Sequence, residues 1–250
     1  MSDFDNLLED MSKIQIKTPT EEKLLECHNH FIKWLKENPN NFSFWFKHIT
    51  IVQNHGISIP KSTIINVPED LLDSFFLEKN GDREKITDWV LNSVLPVIKD
   101  EKFPLFMKNG CFSNKYDFSI NCLVPEFSLQ QITQRIINIQ QESLCCDTGG
   151  NLELIFREYI QPERDTETIY NGMPLRPEIR VFYNFDSHKY VYDVNYWDYT
   201  YCHGKLGSDE DELVFTKYYP IMKDRLETRK STYLPTIQEA LSHVTGLSGD

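Results

Sequence analysis

The sequence predicts an α+β fold, with mostly antiparallel sheets preceded by a helical N-terminal region. Three observations carry that reading. Apolar residues recur at helical spacing early in the chain, as in Leu24, Leu25, Phe31, Ile32 and Leu35, and again in Trp89, Val90, Val94 and Val97. After residue 100 short β-branched and aromatic runs take over, separated by turn residues. Helices first and strands later is the order of segregated layers, not of repeating βαβ units. Residues 1–100 therefore read as a helical, mixed region and 101–250 as the sheet-bearing one.

Each element has a local reason. Residues 1–17 are a polar lead-in. Thr18, Pro19 and Glu21 make a helix start: a cap, a proline at the first position and a capping-box carboxylate. Asn38–Pro39–Asn40–Asn41 stops that helix. The aromatic run Ser43–His55 fits helix or strand, and Gly56 ends it. Ser62–Asn66 reads as a strand, and helices are expected over 68–78 and 84–99. Strands are expected at Phe103–Lys108 and near Ser119–Val124, then a helix from Ser128 to Cys145 with Ile132, Ile136, Ile137 and Ile139 buried. Asp147–Thr148–Gly149–Gly150 turns the chain into a strand over 152–160. Strands over 178–186 and 189–196 are joined by a turn at Asp186–Ser187–His188. Residues 208–230 are expected to be partly helical, and Pro235 to open a last helix that reaches Val244.

Composition narrows the function. The 250 residues suffice for a sizeable core, and the formal charge is -12. An acidic chain lacks the basic patches that general nucleic-acid or membrane-surface binding needs. No apolar run approaches the roughly 18 residues that span a bilayer, and the acidic N-terminus has no signal-peptide core. The cysteines show no CxxC spacing, so reduced thiols and a cytoplasmic location are expected. Cys27, His28 and His30 are close in sequence but lack the remaining ligands of a metal site.

The chemistry concentrates between residues 103 and 198. Phe103–Lys108 delivers a lysine at a strand end. A small-residue loop with Ser113 and a second lysine, Lys115, follows, a plausible phosphate clamp. Later, Glu178 and Arg180 alternate with Ile179 and Val181, which puts the carboxylate and guanidinium on one strand face. Such groups are costly unless paired or bound to a ligand, and a phosphate or metal-phosphate group suits them.

The segments FMKNGCFSNKYDF, IFREYI, IYNGMPLRPEIRVFYNFD and NYWD, in that order, resemble the ATP-grasp superfamily. The similarity is to its compact branch, which includes small viral and bacterial proteins and the eukaryotic translation-factor assembly chaperone. The resemblance implies ATP and Mg2+ as cofactors. It implies that Lys108 contacts the phosphates and that Ser113 and Lys115 belong to a loop closing over them. It implies that Arg157, Glu158, Tyr159 and Ile160 form the hinge against adenine, and that Arg176, Glu178 and Arg180 meet the triphosphate, with Lys108 and Arg180 the catalytic pair. The implied activity is ATP-dependent ligation of a carboxylate to an amine or thiol through an acyl-phosphate. The acceptor, small molecule or protein, is not named by the sequence.

The chain departs from the superfamily at the metal. No apolar strand with acidic ligands follows Tyr196, so the expectation is a degenerate metal site or a C-terminally incomplete chain. Asp193 and Asn195 offer two oxygens on one strand face, as magnesium would take. Two alternatives stand beside the ligase. One is a non-catalytic chaperone or adaptor on the same scaffold. The other is an RNA-ligase-like nucleotidyltransferase, since Lys115–Tyr116–Asp117–Phe118 half-matches KxDG, with Phe118 in place of the glycine.

Overall fold

A computed structural model describes residues 20–146 and 150–247. The expected cap at Thr18 and the turn at 147–149 lie outside the described residues. The chain divides into two compact units, residues 1–37 and 38–250. The boundary expected near residue 100 falls inside the second.

In the first unit, helix α1 (Glu21–Glu37) is capped by Thr20, whose hydroxyl accepts from the Lys23 amide at 3.4 Å. Ile32 and Leu35 are its buried residues.

The second unit opens with α2 (Phe42–Ile49), which resolves the ambiguous aromatic run as helix. Phe42 and Phe46, four apart, stack at 4.3 Å, the neighbour spacing that a helix supplies and a strand does not. A 3-10 segment, Thr50–His55, continues it and ends at Gly56, whose φ of 81° suits a residue without a Cβ. Strand β1 (Ser62–Asn66) follows as expected. The helix expected over 68–78 is two 3-10 turns, and the next helix is α3 (Asp82–Trp89), a π segment and α4 (Leu95–Ile98).

Strand β2 (Leu105–Asn109) comes next, but Ser119–Val124 is not all strand. It holds α5 (Phe118–Asn121) and only two strand residues, β3 (Leu123–Val124). Phe118 and Cys122, four apart, are both buried, which one helical turn achieves. Helix α6 (Leu129–Cys145) starts at Ser128, whose hydroxyl accepts from the Gln131 amide. Strand β4 (Glu153–Glu158) completes an antiparallel sheet in the order β1-β4-β2-β3. Cross-strand partners share a face. One face therefore carries Leu105, Met107, Asn109, Leu154 and Phe156, and α6 packs against it. The other carries Phe106, Lys108, Ile155 and Arg157.

The link after β4 contains a small hairpin that sequence reading missed, β5 (Thr168–Ile169) with β6 (Met173–Pro174). Its turn holds Tyr170, Asn171 and Gly172 at positive φ. Strands β7 (Ile179–Asn184) and β8 (Lys189–Asn195) pair as a hairpin, where the Asn184 side chain accepts from the Ser187 amide. A single turn of helix, α7 (Tyr199–Cys202), leads to α8 (Asp209–Ser242). Helix α8 is continuous for 34 residues and contains Pro220 and Pro235, so Pro235 does not open a helix. Each proline forfeits a backbone hydrogen bond. Burial of Phe215, Tyr218, Met222, Leu226 and Ala240 along the same helix offsets that loss. The architecture is mixed helix and antiparallel sheet, an α+β chain. Among the described residues no helix is long and apolar enough to cross a membrane.

Candidate functional site

The Lys108 face of the sheet meets the first turn of α2. Glu153, on that face, accepts from the Ser43 amide at 3.2 Å and from the Ser43 hydroxyl. This anchors Phe42 over the strands. The Lys108 ammonium lies 5.7 Å from the Phe42 ring centroid, and the Arg157 guanidinium carbon lies 5.5 Å from it. Two cations thus share one ring, with the nearby Glu153 carboxylate already engaged. Burial, then the Arg157 charge, pull the Lys108 pKa down to about 8. Burial also lowers that of Arg157.

The loop after β2 is rooted by asparagines. Buried Asn109 accepts from the Cys111 and Phe112 amides, at 3.0 and 2.6 Å. Gly110 donates to Asn151 Oδ1 at 3.1 Å, and a Cβ there would lie 2.4 Å from that oxygen. Asn151 in turn donates to Asn41 at 3.0 Å, so Asn41 serves this network instead of capping α2. The loop then carries Ser113 and Lys115 toward the β7–β8 hairpin. Lys115 lies 5.4 Å and Arg180 4.5 Å from the Tyr196 ring centroid.

Between the sheet and the β5–β6 hairpin is a cavity of ≈ 170 Å³. Its walls are Phe106, Phe118, Met173 and Pro174, with Arg157, Glu158, Tyr159 and Ile160 along one edge and Lys115, Arg176 and Glu178 along another. A second cavity of ≈ 660 Å³ shares Lys115 and Met173 with it. That one is lined by Ser113, Arg180, Asn195 and Asp198 and by the rings of Phe112, Tyr116, Tyr170, Tyr196 and Tyr201. Arg176 donates to the Ile160 carbonyl, and its guanidinium carbon lies 5.3 Å from the Tyr159 ring centroid. The Nε atoms of Arg157 and Arg176 are buried without a hydrogen-bond partner, and both residues line the first cavity. Unpaired buried donors are costly, and a ligand with acceptor oxygens satisfies them.

The structure therefore gathers Lys115, Arg157, Glu158, Tyr159, Ile160, Arg176 and Glu178 around one cavity and Ser113 and Arg180 around its neighbour. Lys108 lies beside Arg157, at the Phe42 ring. Glu178 and Arg180 line adjoining cavities.

Asp193 and Asn195 are spent on other partners, although Asn195 also borders the second cavity. By register their strand partners are Val181 and Ile179, not Arg180. Asp193 is paired with Lys230 of α8 at 2.5 Å and accepts from the Tyr190 hydroxyl. Burial works against the carboxylate, but Lys230 and Tyr190 hold its pKa below the ordinary value. Asn195 accepts from the Trp197 amide at 3.0 Å. A donor set already filled by an ammonium, a hydroxyl and an amide does not fit Mg2+. Among the described residues no group of three His, Cys, Asp or Glu is placed to hold a metal.

Sequence reading missed Phe42, Phe106, Asn109, Asn151, Met173 and Tyr196 as site residues. Asn109–Gly110 carries a turn signal that could have marked the loop root. Nothing local in sequence ties Phe42 to Lys108, more than sixty residues on.

Comparison with known proteins returns no matching family model, no matching curated protein and no matching solved structure.

Proposed function

We propose that the chain binds ATP in this cleft, as a protein of ATP-grasp type, and uses it to ligate a carboxylate to an amine or thiol through an acyl-phosphate. One observation carries the reading. Lys108, Lys115, Arg157, Arg176 and Arg180 each rest on an aromatic ring, and among the described residues no ion pair engages any of them. In a chain with charge -12, five cations on rings in and beside two adjoining cavities, outnumbering Glu158, Glu178 and Asp198 there, favour an anionic ligand.

Phe106, Phe118 and Met173 give the apolar walls that a purine ring needs, with the Glu158–Ile160 backbone at its edge. Lys115 stands where the two cavities meet, so the phosphates pass from Arg157 and Arg176 toward Ser113 and Arg180. Arginine suits the triphosphate because its planar fork grips two oxygens at once. ATP supplies the phosphoryl group. The chain's own residues neutralise charge and position the acceptor, which is most of what phosphoryl transfer asks of a protein. No step is routed through a metal held by Asp193 and Asn195.

A second reading is a nucleotide-binding adaptor without turnover. The engagement of Asp193 by Lys230 and of Asn195 by Trp197 favours it. Calorimetric titration with ATP, with and without magnesium, tests the site: binding to the wild type and none to Lys108→Ala is expected. Equal affinity in both proteins would overturn it. ADP release over hours then separates ligase from adaptor.

A further inference from the structure

We propose that Lys108 is a carbamylation site: its amine adds CO2, and the resulting carbamate is held by Arg157 and Lys115. The groups around the amine are Phe42 from α2, Arg157 and Glu153 from β4, and Cys111 and Lys115 from the loop. Glu153 is held in place by Ser43, and its negative charge only partly offsets burial and the Arg157 charge at the amine. Burial first, and then the Arg157 charge on the same ring, favour loss of a proton from Lys108, since arginine cannot lose one. At pH 7.4 an amine with a pKa of about 8 is neutral about a fifth of the time, roughly 200-fold more than an ordinary lysine.

Carbamylation needs that neutral form. The nitrogen lone pair attacks the carbon of CO2, one C=O π bond opens to a carboxylate, and the amine proton leaves to solvent. The product turns a repelled cation into an anion beside Arg157, whose buried Nε lacks an acceptor. CO2 is small and uncharged, so it reaches a partly buried amine without desolvating a charge. Carbamate and nucleotide phosphate would compete for the same cations, which makes dissolved CO2 a regulator of the cleft.

The test is chemical trapping of carbamates by alkylation in buffer containing 13C-bicarbonate, followed by peptide mass mapping of the full chain. The expected adduct sits on Lys108 at least about tenfold above the surface lysines Lys61 and Lys99. It disappears in Lys108→Arg and falls several-fold in Arg157→Gln at pH 7.4. Adducts spread evenly over the lysines of the wild type, or none on Lys108, would overturn the proposal. So would an occupancy unchanged in a folded Arg157→Gln protein. Persistence of the adduct under saturating ATP would leave this proposal standing and count against nucleotide binding at Lys108.

Discussion

Lys108 shows how a single buried cation can cost a fold stability. Its folded pKa of about 8 lies below the ordinary lysine value of 10.5. Folding therefore disfavours the charged form. The penalty is full below pH 8 and fades as pH rises toward 10.5, so stability should climb with pH through that window. Lys108→Met removes the penalty. We expect it to raise the stability of the nucleotide-free chain at pH 7 by an amount of the order of 2 kcal/mol, read by denaturant unfolding, while abolishing the ATP-dependent rise in melting temperature. A variant less stable than wild type at pH 7 would show the ammonium to be well accommodated without a ligand. Arg180→Ala should also abolish nucleotide binding. That side chain is exposed, so its removal should leave stability nearly unchanged, which a thermal melt beside the titration would check.

Elements place these residues through packing that local sequence shows only in part. Gly110 is the sharpest case. A Cβ would fall 2.4 Å from Asn151 Oδ1, and Asn151 cannot yield without releasing Asn41 and the Gly110 amide. Gly110→Ala should cost about 1–3 kcal/mol and loosen the Ser113–Lys115 loop, seen as faster proteolysis at that loop. In α8, Pro235 is exposed and lies inside regular helix. Pro235→Ala should restore a hydrogen bond and raise stability by about 1–3 kcal/mol; a lower melting temperature would mean that the helix needs a bend there. Strands β1, β2, β4, β7 and β8 and helix α6 were legible because period and punctuation agreed in each. The β5–β6 hairpin was not, because two-residue strands have no period. The continuity of α8 was not, because a proline reads as a stop until tertiary burial overrides it. The cavity-lining segment Arg157, Glu158, Tyr159 and Ile160 and the cations on β4, β7 and the loop were legible as residue types in order. Phe42 and the asparagine network were not, since both depend on contacts far apart in sequence.

At the scale of the whole molecule, charge and topology act together. Acidification should unfold the chain through carboxylates held below their ordinary values. Hydrogen bonds from Arg225 do this for Asp165 and from Gly204 for Glu212, while at Asp193 Lys230 outweighs burial. Each contributes stability above its unfolded pKa that is lost as pH falls through the folded one. Helix α8 links both sides of the cleft. Near its middle Arg225 and Arg229 bind Glu163 and Asp165 of the link after β4, and Lys230 binds the β7–β8 hairpin. Near its end Ala240, followed by Val244, packs on Val52, behind α2. At about 1.5 Å per residue this helix is a rod of about 50 Å. The two walls of the cleft are therefore mounted on one beam, and any widening of the mouth has to flex it. The weakest places in that beam are the two turns where Pro220 and Pro235 each omit a hydrogen bond. Breathing of the cleft is thus a bending mode with two built-in soft joints, and its stiffness can be tuned from the side of the molecule away from any ligand.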